Sequence, residues 1–317
     1  MSSSFPERDR SGKSGYPVGS LTRKPSAPRT LLSTVMTGVA IACAVISLIP
    51  LFSVLSYVII QGFSSLKPTI FTQLPPIPSS SPTAQVGGFG NAILGTITMV
   101  GIGTLISVPI GVLAAIYLTE FSTGNFARWI RFATNVLSGI PSIIAGVFAY
   151  GVAVSSPWFG LLVTGKNQPL GYSAIAGGIA LAILMLPIII RTTDEALQLV
   201  SNDLRQAAVG IGATNFQTVM SVVVPTALPA IVTGATLAVA RAAGETAPLI
   251  FTALFSTFWA SSLTQPTASL AVLVYNYATT NFKNQNSLAW AASLILVLMV
   301  LITSIIARLA TNRKTYS

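Results

Sequence analysis

Charged residues are scarce in this chain of 317 residues: they make up 8% of it, whereas hydrophobic residues make up 52%. No soluble globular domain needs that combination, because roughly a quarter of an ordinary soluble sequence is charged. The sequence has no histidine and a single cysteine, Cys43. Without histidine the commonest metal ligand and proton shuttle is missing, which argues against metalloenzymes and histidine-based hydrolases. One cysteine permits no intramolecular disulfide bond.

Long uncharged runs are what the sequence has instead. Divided at clusters of glycine, proline and asparagine, they predict six transmembrane helices, each long enough to cross about 30 Å of hydrocarbon. The predicted helices are 31–61, 91–119, 127–154, 172–190, 227–256 and 286–309. We therefore expect an all-α membrane protein whose main transmembrane domain is 91–310, preceded by the first helix and an external segment, 62–90.

Lysine and arginine are unevenly distributed between alternate segments, and this predicts the orientation. One set of segments carries most of them: Arg8, Arg10, Lys13, Arg23, Lys24, Arg29, Arg128, Arg131, Arg191, Arg205, Arg308, Arg313 and Lys314. The opposite segments carry one each: Lys67, Lys166 and Lys283. Positively charged loops stay on the cytoplasmic side, so both termini are expected there. The same bias accounts for most of the net charge of +10, which therefore does not indicate a nucleic-acid partner.

The two ends of the chain have a different composition from the rest. Residues 1–30 are rich in serine, proline, arginine and lysine and have little apolar surface to bury. Such a composition predicts a disordered basic tail in the cytoplasm. Residues 311–317 are expected to form a second, shorter cytoplasmic tail.

Segment 191–225 reads RTTDEALQLVSNDLRQAAVGIGATNFQTVMSVVVP and holds three of the seven acidic residues. Residues 201–203 can cap a short helix, which Gly212 would help to end. Thr214 and Gln217 have the spacing of a capping box for a second short helix. The pattern predicts either a protruding helix pair that contacts a partner or two helices lying on lipid headgroups.

Part of this segment resembles the EAA loop of bacterial ABC importer permeases. Gln206-Ala207-Ala208, Gly212, Val222 and Val224-Pro225 match the spacing of Glu-Ala-Ala, three residues, Gly, nine residues, Ile, one residue, Leu-Pro. The resemblance implies that the EAA-like loop, residues 206–225, docks as a coupling helix on a cytoplasmic ATPase subunit. The candidate coupling residues are Asp203, Arg205, Gln206, Ala207, Ala208 and Gly212. Gln206 replaces the glutamate of the family pattern, so a salt bridge from that position is not expected.

Four further stretches are similar to the A-type permease subunits of phosphate importers. They are GGFGNAILGTI (87–97), LSGIPSIIAGVFA (137–149), RTTDEALQLV (191–200) and ARAAGETAPLIFTAL (240–254). The resemblance implies the type I ABC importer permease fold, a bacterial cytoplasmic (inner) membrane location, and inorganic phosphate as cargo. It also implies a homologous C-type permease subunit, two ATPase subunits and a periplasmic or extracellular phosphate-binding protein as partners.

The chain itself is not expected to be an enzyme. It contains no Walker sequence, so ATP and Mg should bind to the partner ATPase subunits. We predict no catalytic residues, no metal ligands and no cofactor in this chain, with lipid as its surroundings.

Arg241 and Glu245 stand four residues apart inside a run that is otherwise apolar. An ionisable group near the bilayer centre costs about 2.5 to 3.5 kcal/mol, so it is retained only if it is paired or lines water. On one continuous helix the two residues would be about 6 Å apart along one face. They could form a purely structural ion pair. We prefer a second interpretation, in which Arg241 offers its guanidinium to phosphate while Glu245 holds it in place.

Four other residues are candidates for the substrate pathway. Thr246 directly follows the Arg241–Glu245 pair. Arg191 is predicted to end the fourth helix at the cytoplasmic face, as an anchor or as a second phosphate contact. Ser138 and Ser142 flank the glycine and proline of LSGIPS, where the third helix should either break beside a cavity or form a simple proline kink.

Two other functions are compatible with these features. The same fold could carry another oxyanion such as sulfate or molybdate, which sequence physics does not separate from phosphate. An ion-coupled transporter or channel would need no ATPase, but we find no inverted repeat of the kind such proteins have. That alternative also leaves the EAA-like loop unexplained.

Overall fold

The computed structural model describes residues 28–79, 87–122 and 124–312. In these ranges the regular structure is helical, with one 3-10 turn and three π-helical turns beside the α-helices. The α-helices are α1 Pro28–Ser64, α2 Gly90–Ile116, α3 Asn125–Ser138, α4 Ser142–Ala149, α5 Pro157–Thr164, α6 Ala174–Gln198, α7 Asn202–Gly210, α8 Asn215–Thr218, α9 Val224–Ala243, α10 Ala247–Thr252, α11 Leu270–Ala278 and α12 Lys283–Asn312. The two expected tails, 1–30 and 311–317, fall mostly outside the described residues.

The chain divides into two compact units, of which the first ends at Ser56 and the second comprises Tyr57–Ser317. Most of the apolar helix α1 belongs to the first unit. Its last two turns belong to the second, where the Tyr57 and Trp290 rings meet edge to face with centroids 4.9 Å apart. The sites described below all lie within the second unit.

Five stretches of the described chain are long and apolar enough to cross a membrane. They are Leu31–Ser64, Gly90–Phe121, Ala174–Gln198, Asn215–Ala243 and Lys283–Leu309. A bent pair, Asn125–Ser138 with Ser142–Val154, gives a sixth if it is counted as one span. The prediction of an all-α protein with several membrane spans is confirmed.

The third predicted helix, 127–154, is broken at LSGIPS, which is one of the two alternatives that the sequence leaves open. The chain forms α3, breaks, and resumes as α4 at an angle of 107°. Proline has no N–H to donate and its ring clashes with the preceding turn, so Pro141 directly after Gly139 and Ile140 ends the helix. A bend of this size also excludes the simple proline kink.

Two boundaries of the predicted loop 191–225 need correction. Helix α6 continues past residue 190 to Gln198, so the first eight residues of that segment are helical. Helix α8 runs through a π-helical turn directly into α9, so the second short helix is the start of the long helix Asn215–Ala243. The connection between the long helices is therefore only 199–214, with α7 in its middle.

The fifth predicted helix, 227–256, is wrong as a single helix. Helix α9 ends at Ala243, and α10 begins at Ala247 with Pro248 in its first turn. Gly244 caps α9, and the backbone N–H of Glu245 donates to the carbonyl of Ala242 at 3.2 Å. Because glycine has low helix propensity and proline favours a first turn, the sequence GETAP both ends one helix and starts another.

Helices α2, α6 and α9 pack closely because small residues line their contacts. Gly234, Ala238 and Ala242 recur every four residues on α9 and are buried. Ala238 and Ala242 share an apolar cluster with Met185 and Ile189 from the middle of α6. Small residues allow helix backbones to approach each other in membranes, so this stripe fixes α9 against α6.

Gly234→Ala is expected to lower the midpoint of thermal unfolding of the chain in detergent. A Cβ at this position would lie 2.3 Å from Thr192 Oγ1 and 2.6 Å from Thr192 Cβ, so α6 and α9 would have to separate. Such overpacking costs about 1 to 3 kcal/mol. Gly101→Ala on α2 is the matched control, because a Cβ there meets nothing within 4 Å and the unfolding midpoint should not fall. Equal midpoints for the two variants would contradict the packing assigned to Gly234.

Candidate functional site

Arg241 and Glu245 form an ion pair across the break between α9 and α10. Arg241 Nε lies 3.4 Å from Glu245 Oε1. The Arg241 side chain is 62% exposed, whereas that of Glu245 is only 15% exposed. Glu245 is therefore held within the protein, while most of the guanidinium is free to meet another group. The two residues do not share one continuous helix as predicted, because Glu245 lies beyond the end of α9.

The contacts of α9 place Arg241 near the middle of the membrane-spanning helices. Its neighbours in sequence, Ala238 and Ala242, pack with Met185 and Ile189 from the centre of α6. Gly234, seven residues before Arg241, contacts Thr192 near the C-terminal end of α6. Seven residues of helix correspond to about 10 Å and almost two full turns. Arg241 thus starts on the side of α9 that faces α6, at the level of the middle of that helix.

The break between α3 and α4 and the break between α9 and α10 adjoin two helices that contact each other. Helix α4 packs on α10, and a Cβ on Gly146 would lie 2.7 Å from Pro248 Cα. Ser142 is the first residue of α4 and Thr246 immediately precedes α10; both are half-buried. Ser138 is exposed at the end of α3 and donates its hydroxyl to the Thr134 carbonyl at 2.8 Å. Of the predicted pathway residues, the structure joins Arg241 and Glu245 directly and brings the helices of Ser142 and Thr246 together.

Arg191 does not end α6 as predicted but lies two turns before its end. Its Nε lies 2.9 Å from Glu195 Oε1, and both side chains are about 60% exposed. The two residues help to line a pocket of about 410 Å³ between α3 and α6. Arg131 and Asp194 line the same pocket, so it contains two arginines and two carboxylates.

A hydrogen-bond network around Asp194 has no counterpart in the sequence pattern. Arg131 on α3 donates to both oxygens of Asp194, from Nη2 at 3.1 Å and from Nε at 3.3 Å. The Thr119 hydroxyl also donates to Asp194, at 2.6 Å, and Arg131 Nη2 reaches the Leu118 carbonyl at 2.8 Å. This network fastens α3 to the end of α6 and to the π-helical turn after α2. In the sequence, Arg131 contributes only to the positive bias of its segment.

Arg205 on α7 is directed inward, at its own chain. Its Nη2 lies 2.8 Å from Oε1 of Glu120, the acid of the π-helical turn after α2, and its Nε lies 3.4 Å from Oε2. The same guanidinium donates to the Leu197 carbonyl at 2.9 Å and to the Val200 carbonyl. The side chain of Arg205 therefore connects α7 both to the end of α6 and to the end of α2 through hydrogen bonds. Glu120, 9% exposed in its side chain, was missed by the sequence analysis.

The remaining candidate coupling residues on α7 differ in whether they face their own chain or the surroundings. Ala208 is buried at 6% exposure and packs on its own chain. Gln206 and Ala207 are exposed, as is Asp203 in the first turn of α7. Within the described residues, Asp203 is the only acid without an ion pair. Large apolar side chains are exposed beside it: Leu204, Val209, Ile211 and Phe216.

The turn after α7 has the local structure that its sequence predicts. Gly212 has a φ of 91°, in the left-handed region that glycine adopts without a steric penalty. The capping box is also present: the Thr214 hydroxyl accepts from the Gln217 N–H, and the Gln217 side chain accepts from the Thr214 N–H. Buried Val219 and Val223 then join an apolar cluster with Leu197 and Val200 from the end of α6 and just beyond it. The loop is thereby packed against the ends of the long helices.

Comparison with known proteins gives the same family throughout. Residues 107–316 match the family described as binding-protein-dependent transport system inner membrane component. The phosphate transport system permease protein PstA of Haemophilus influenzae is 40% identical over 280 residues, which are 88% of this chain and 93% of that protein. PstA of Yersinia pestis is 34% identical over 93% of this chain and 95% of that protein. PstA 1 of Mycobacterium tuberculosis is 32% identical over 90% and 91%.

Solved structures support the fold. A chain from a bacterial alginate ABC transporter, solved with its alginate-bound periplasmic protein, has a TM-score of 0.64 at 14% identity and covers 93% of this chain and 99% of that chain. A chain from the MetNI methionine ABC transporter in an inward-facing conformation has a TM-score of 0.55 at 19% identity, over 70% and 94%. The protein thus has the type I ABC importer permease fold and is a multi-pass protein of the bacterial inner membrane. It belongs to the family of binding-protein-dependent transport system inner membrane components, which are transporter permeases and not enzymes.

Proposed function

We propose that this chain is the A-type permease subunit of an ATP-driven importer of inorganic phosphate. The observation that supports it best is the similarity to PstA proteins over almost the whole chain, with identities of 32 to 40%. A second observation is an arginine with an exposed guanidinium at the level of the middle of the membrane helices. Phosphate carries one or two negative charges at neutral pH, and the guanidinium group can bind two of its oxygens at once.

In the proposed assembly the chain is one half of the membrane pathway. A homologous C-type permease supplies the other half, two ATPase subunits bind ATP and Mg on the cytoplasmic side, and a phosphate-binding protein delivers the anion from outside. Both termini lie in the cytoplasm, because the basic residues concentrate on the segments that share that side. Helix α7 then lies on the cytoplasmic face, where an ATPase can reach it.

Arg241 acts in this proposal as the central anion contact of the pathway. The exposed guanidinium carries a charge that would be costly to place in the hydrocarbon of the bilayer. Water, the partner permease or the cargo must therefore surround it. Glu245 binds only one edge of the guanidinium, through Nε, and leaves the two terminal nitrogens available. The carboxylate also weakens the attraction of the site for an anion, which a transport site needs because tightly bound cargo is not released. Thr246, next to Glu245, can add a hydroxyl donor.

Arg191 is a second anion contact nearer the cytoplasm. Arg191 directly precedes Thr192, which contacts Gly234. Because Gly234 and Arg241 are seven residues apart on α9, Arg191 is about 10 Å from Arg241 along the helix axes. Both side chains of its ion pair are exposed, and an exposed pair of this kind is worth little, so phosphate can replace Glu195 as the partner of Arg191. Ser138 and Ser142 flank the break at the ends of α3 and α4, where a hydroxyl can meet the departing anion.

Coupling to ATP hydrolysis is assigned to the exposed side of α7. Asp203, Gln206 and Ala207 face outward together with a group of exposed apolar side chains. Small residues allow a helix to enter a groove, and the apolar side chains around them supply area to bury. Ala208 and Arg205 face inward and connect α7 to the long helices, and Gly212 forms the turn behind it. A movement of the ATPase would thus reach the ends of α2 and α6 through α7 and drive alternating access.

The test is ATP-driven uptake by the reconstituted transporter. The chain is assembled in liposomes with its partner permease, ATPase and binding protein, and uptake of labelled phosphate is measured with and without excess sulfate and molybdate. We expect uptake that requires ATP and is unaffected by either competing oxyanion. Strong competition by sulfate or molybdate would instead identify the chain as a permease for that oxyanion. Equal uptake without the ATPase would contradict an ABC importer.

A further inference from the structure

Helix α3 has three distinct faces. Small residues face the protein: Ala127 and Thr134 are buried. On the opposite side the large apolar residues are exposed, among them Phe126 at 63%, Trp129 at 69%, Phe132 at 58% and Val136 at 49%. Arg128 and Asn135 are exposed between these two faces. A helix with a broad apolar face, an arginine beside it and low overall hydrophobicity is typical of a helix that lies in a membrane interface.

The geometry of the chain around α3 agrees with such a position. Helix α3 is 14 residues long, or about 21 Å, which is too short to cross the hydrocarbon layer. It makes an angle of 107° with the segment Ser142–Val154. That segment is no longer than α3 and does not cross the hydrocarbon layer by itself either. If its axis follows the membrane normal, α3 lies nearly parallel to the membrane surface.

The level of α3 is set by its ion pair with α6. Arg131 joins it to Asp194, one turn before the end of α6, and to the Leu118 carbonyl two residues before Glu120. Glu120 in turn pairs with Arg205 on α7. Helix α3 therefore lies at the same end of the long helices as the EAA-like loop.

We propose that α3 is an interfacial helix bound to the lipid of the membrane surface on the side of the EAA-like loop. Phe126, Trp129, Phe132 and Val136 enter the upper acyl-chain region, and Arg128 lies among the lipid phosphates. Tryptophan favours this depth because its ring has both an apolar body and a polar N–H. The ion pair of Arg131 with Asp194 then fixes the end of α6 at a set distance from the lipid headgroups. The inference concerns lipid contact and holds whatever anion the transporter carries.

The place of Arg128 on α3 favours lipid over a second membrane protein as the occupant of this face. Arg128 is exposed at the edge of the apolar face, where a helix lying in the membrane interface presents it to lipid phosphates while the apolar residues enter the acyl chains. Two aromatic rings, Trp129 and Phe132, also stand edge to face with centroids 5.9 Å apart and are both open to the surroundings. An aromatic cluster beside an arginine fits the boundary between acyl chains and phosphates.

The lone cysteine makes a spin-label test straightforward. In a Cys43→Ser background, with partner subunits that have no cysteine, single cysteines replace Arg128, Trp129 or Val136 in the complete transporter in liposomes. Each is spin-labelled, and its accessibility to oxygen, which enters the bilayer, is compared with that to a water-soluble nickel chelate. Ile302 and Leu309 on the long helix α12 are labelled as the control pair, because they are also exposed and seven residues apart.

Labels at 129 and 136 are expected to be accessible to oxygen at nearly the same depth. The control pair should differ in depth by about 10 Å, since α12 crosses the membrane. The label at 128 should be accessible mainly to the nickel chelate. The proposal is overturned if labels 129 and 136 differ in depth like the control pair, because α3 would then cross the membrane. It is equally overturned if both are inaccessible to both reagents, because a protein would then cover the face.

Discussion

Arg241→Gln should lower ATP-driven phosphate uptake by about 10- to 100-fold while the transporter still assembles. A hydrogen bond to a charged group contributes about 1.5 to 3 kcal/mol, and each 1.4 kcal/mol changes a rate or an affinity about tenfold. Assembly should persist because the Arg241 side chain is 62% exposed and its removal leaves no cavity. The measurement is the initial rate of labelled-phosphate uptake, with co-purification of the partner subunits as the check on assembly.

Two further variants at this pair separate a transport role from a structural one. Arg241→Lys keeps the charge but not the two-pronged geometry of the guanidinium, so it should recover only part of the uptake. Glu245→Gln removes the moderating charge, so phosphate should bind more tightly and turnover should slow. A structural ion pair would behave differently, because both removals would lower the unfolding midpoint and lysine would restore it. Normal uptake in Arg241→Gln would remove this arginine from the pathway.

The approximate positions of the membrane spans were predictable from the sequence. The thickness of the bilayer sets the length of a span, and its apolar interior requires a long run without charges. The long helices α2, α6 and α12 begin within a few residues of their predicted starts. The errors are at helix breaks and ends. Gly244 could have been recognised as a break from its place before Pro248, but glycine within an apolar run also occurs inside helices, as at Gly234. Only the packing of neighbouring helices distinguishes the two cases.

The proximity of Arg241 and Glu245 was predictable from the sequence, but the long-range contacts of the other arginines were not. Arg241 and Glu245 stood out because isolated charges in an apolar run are rare. The partner of Arg205 was not predictable, because Glu120 is 85 residues away and pairs with it only after α2 and α6 have packed. The same holds for Arg131 and Asp194, which are 63 residues apart. Long-range ion pairs of this kind leave no periodic signal in a single sequence.

The contact of Arg205 with Glu120 makes Arg205 a positioning residue for the proposed ATPase interface. Its guanidinium binds the carboxylate through two nitrogens and also donates to the carbonyls of Leu197 in α6 and of Val200 just beyond it. The side chains are 22% and 9% exposed, so water screens the pair only in part. Movement of α7 would therefore be passed to α2 and α6 together, and a weakened contact would let α7 move alone.

Glu120→Gln should accordingly lower the number of phosphate ions transported per ATP hydrolysed, by about fivefold or more, which corresponds to a coupling free energy of about 1 kcal/mol. Uptake and hydrolysis are measured on the same liposomes, and amide hydrogen exchange of 202–210 should become faster. Arg205→Gln should have a larger effect, because it also removes the hydrogen bonds of the guanidinium to the Leu197 and Val200 carbonyls. Glu195→Gln, which removes a carboxylate from an exposed pair, should leave exchange in α7 unchanged. If uptake and hydrolysis fall in parallel in Glu120→Gln, the pair stabilises the fold without coupling it to the ATPase. A true positioning role requires that hydrolysis continue while phosphate stays outside.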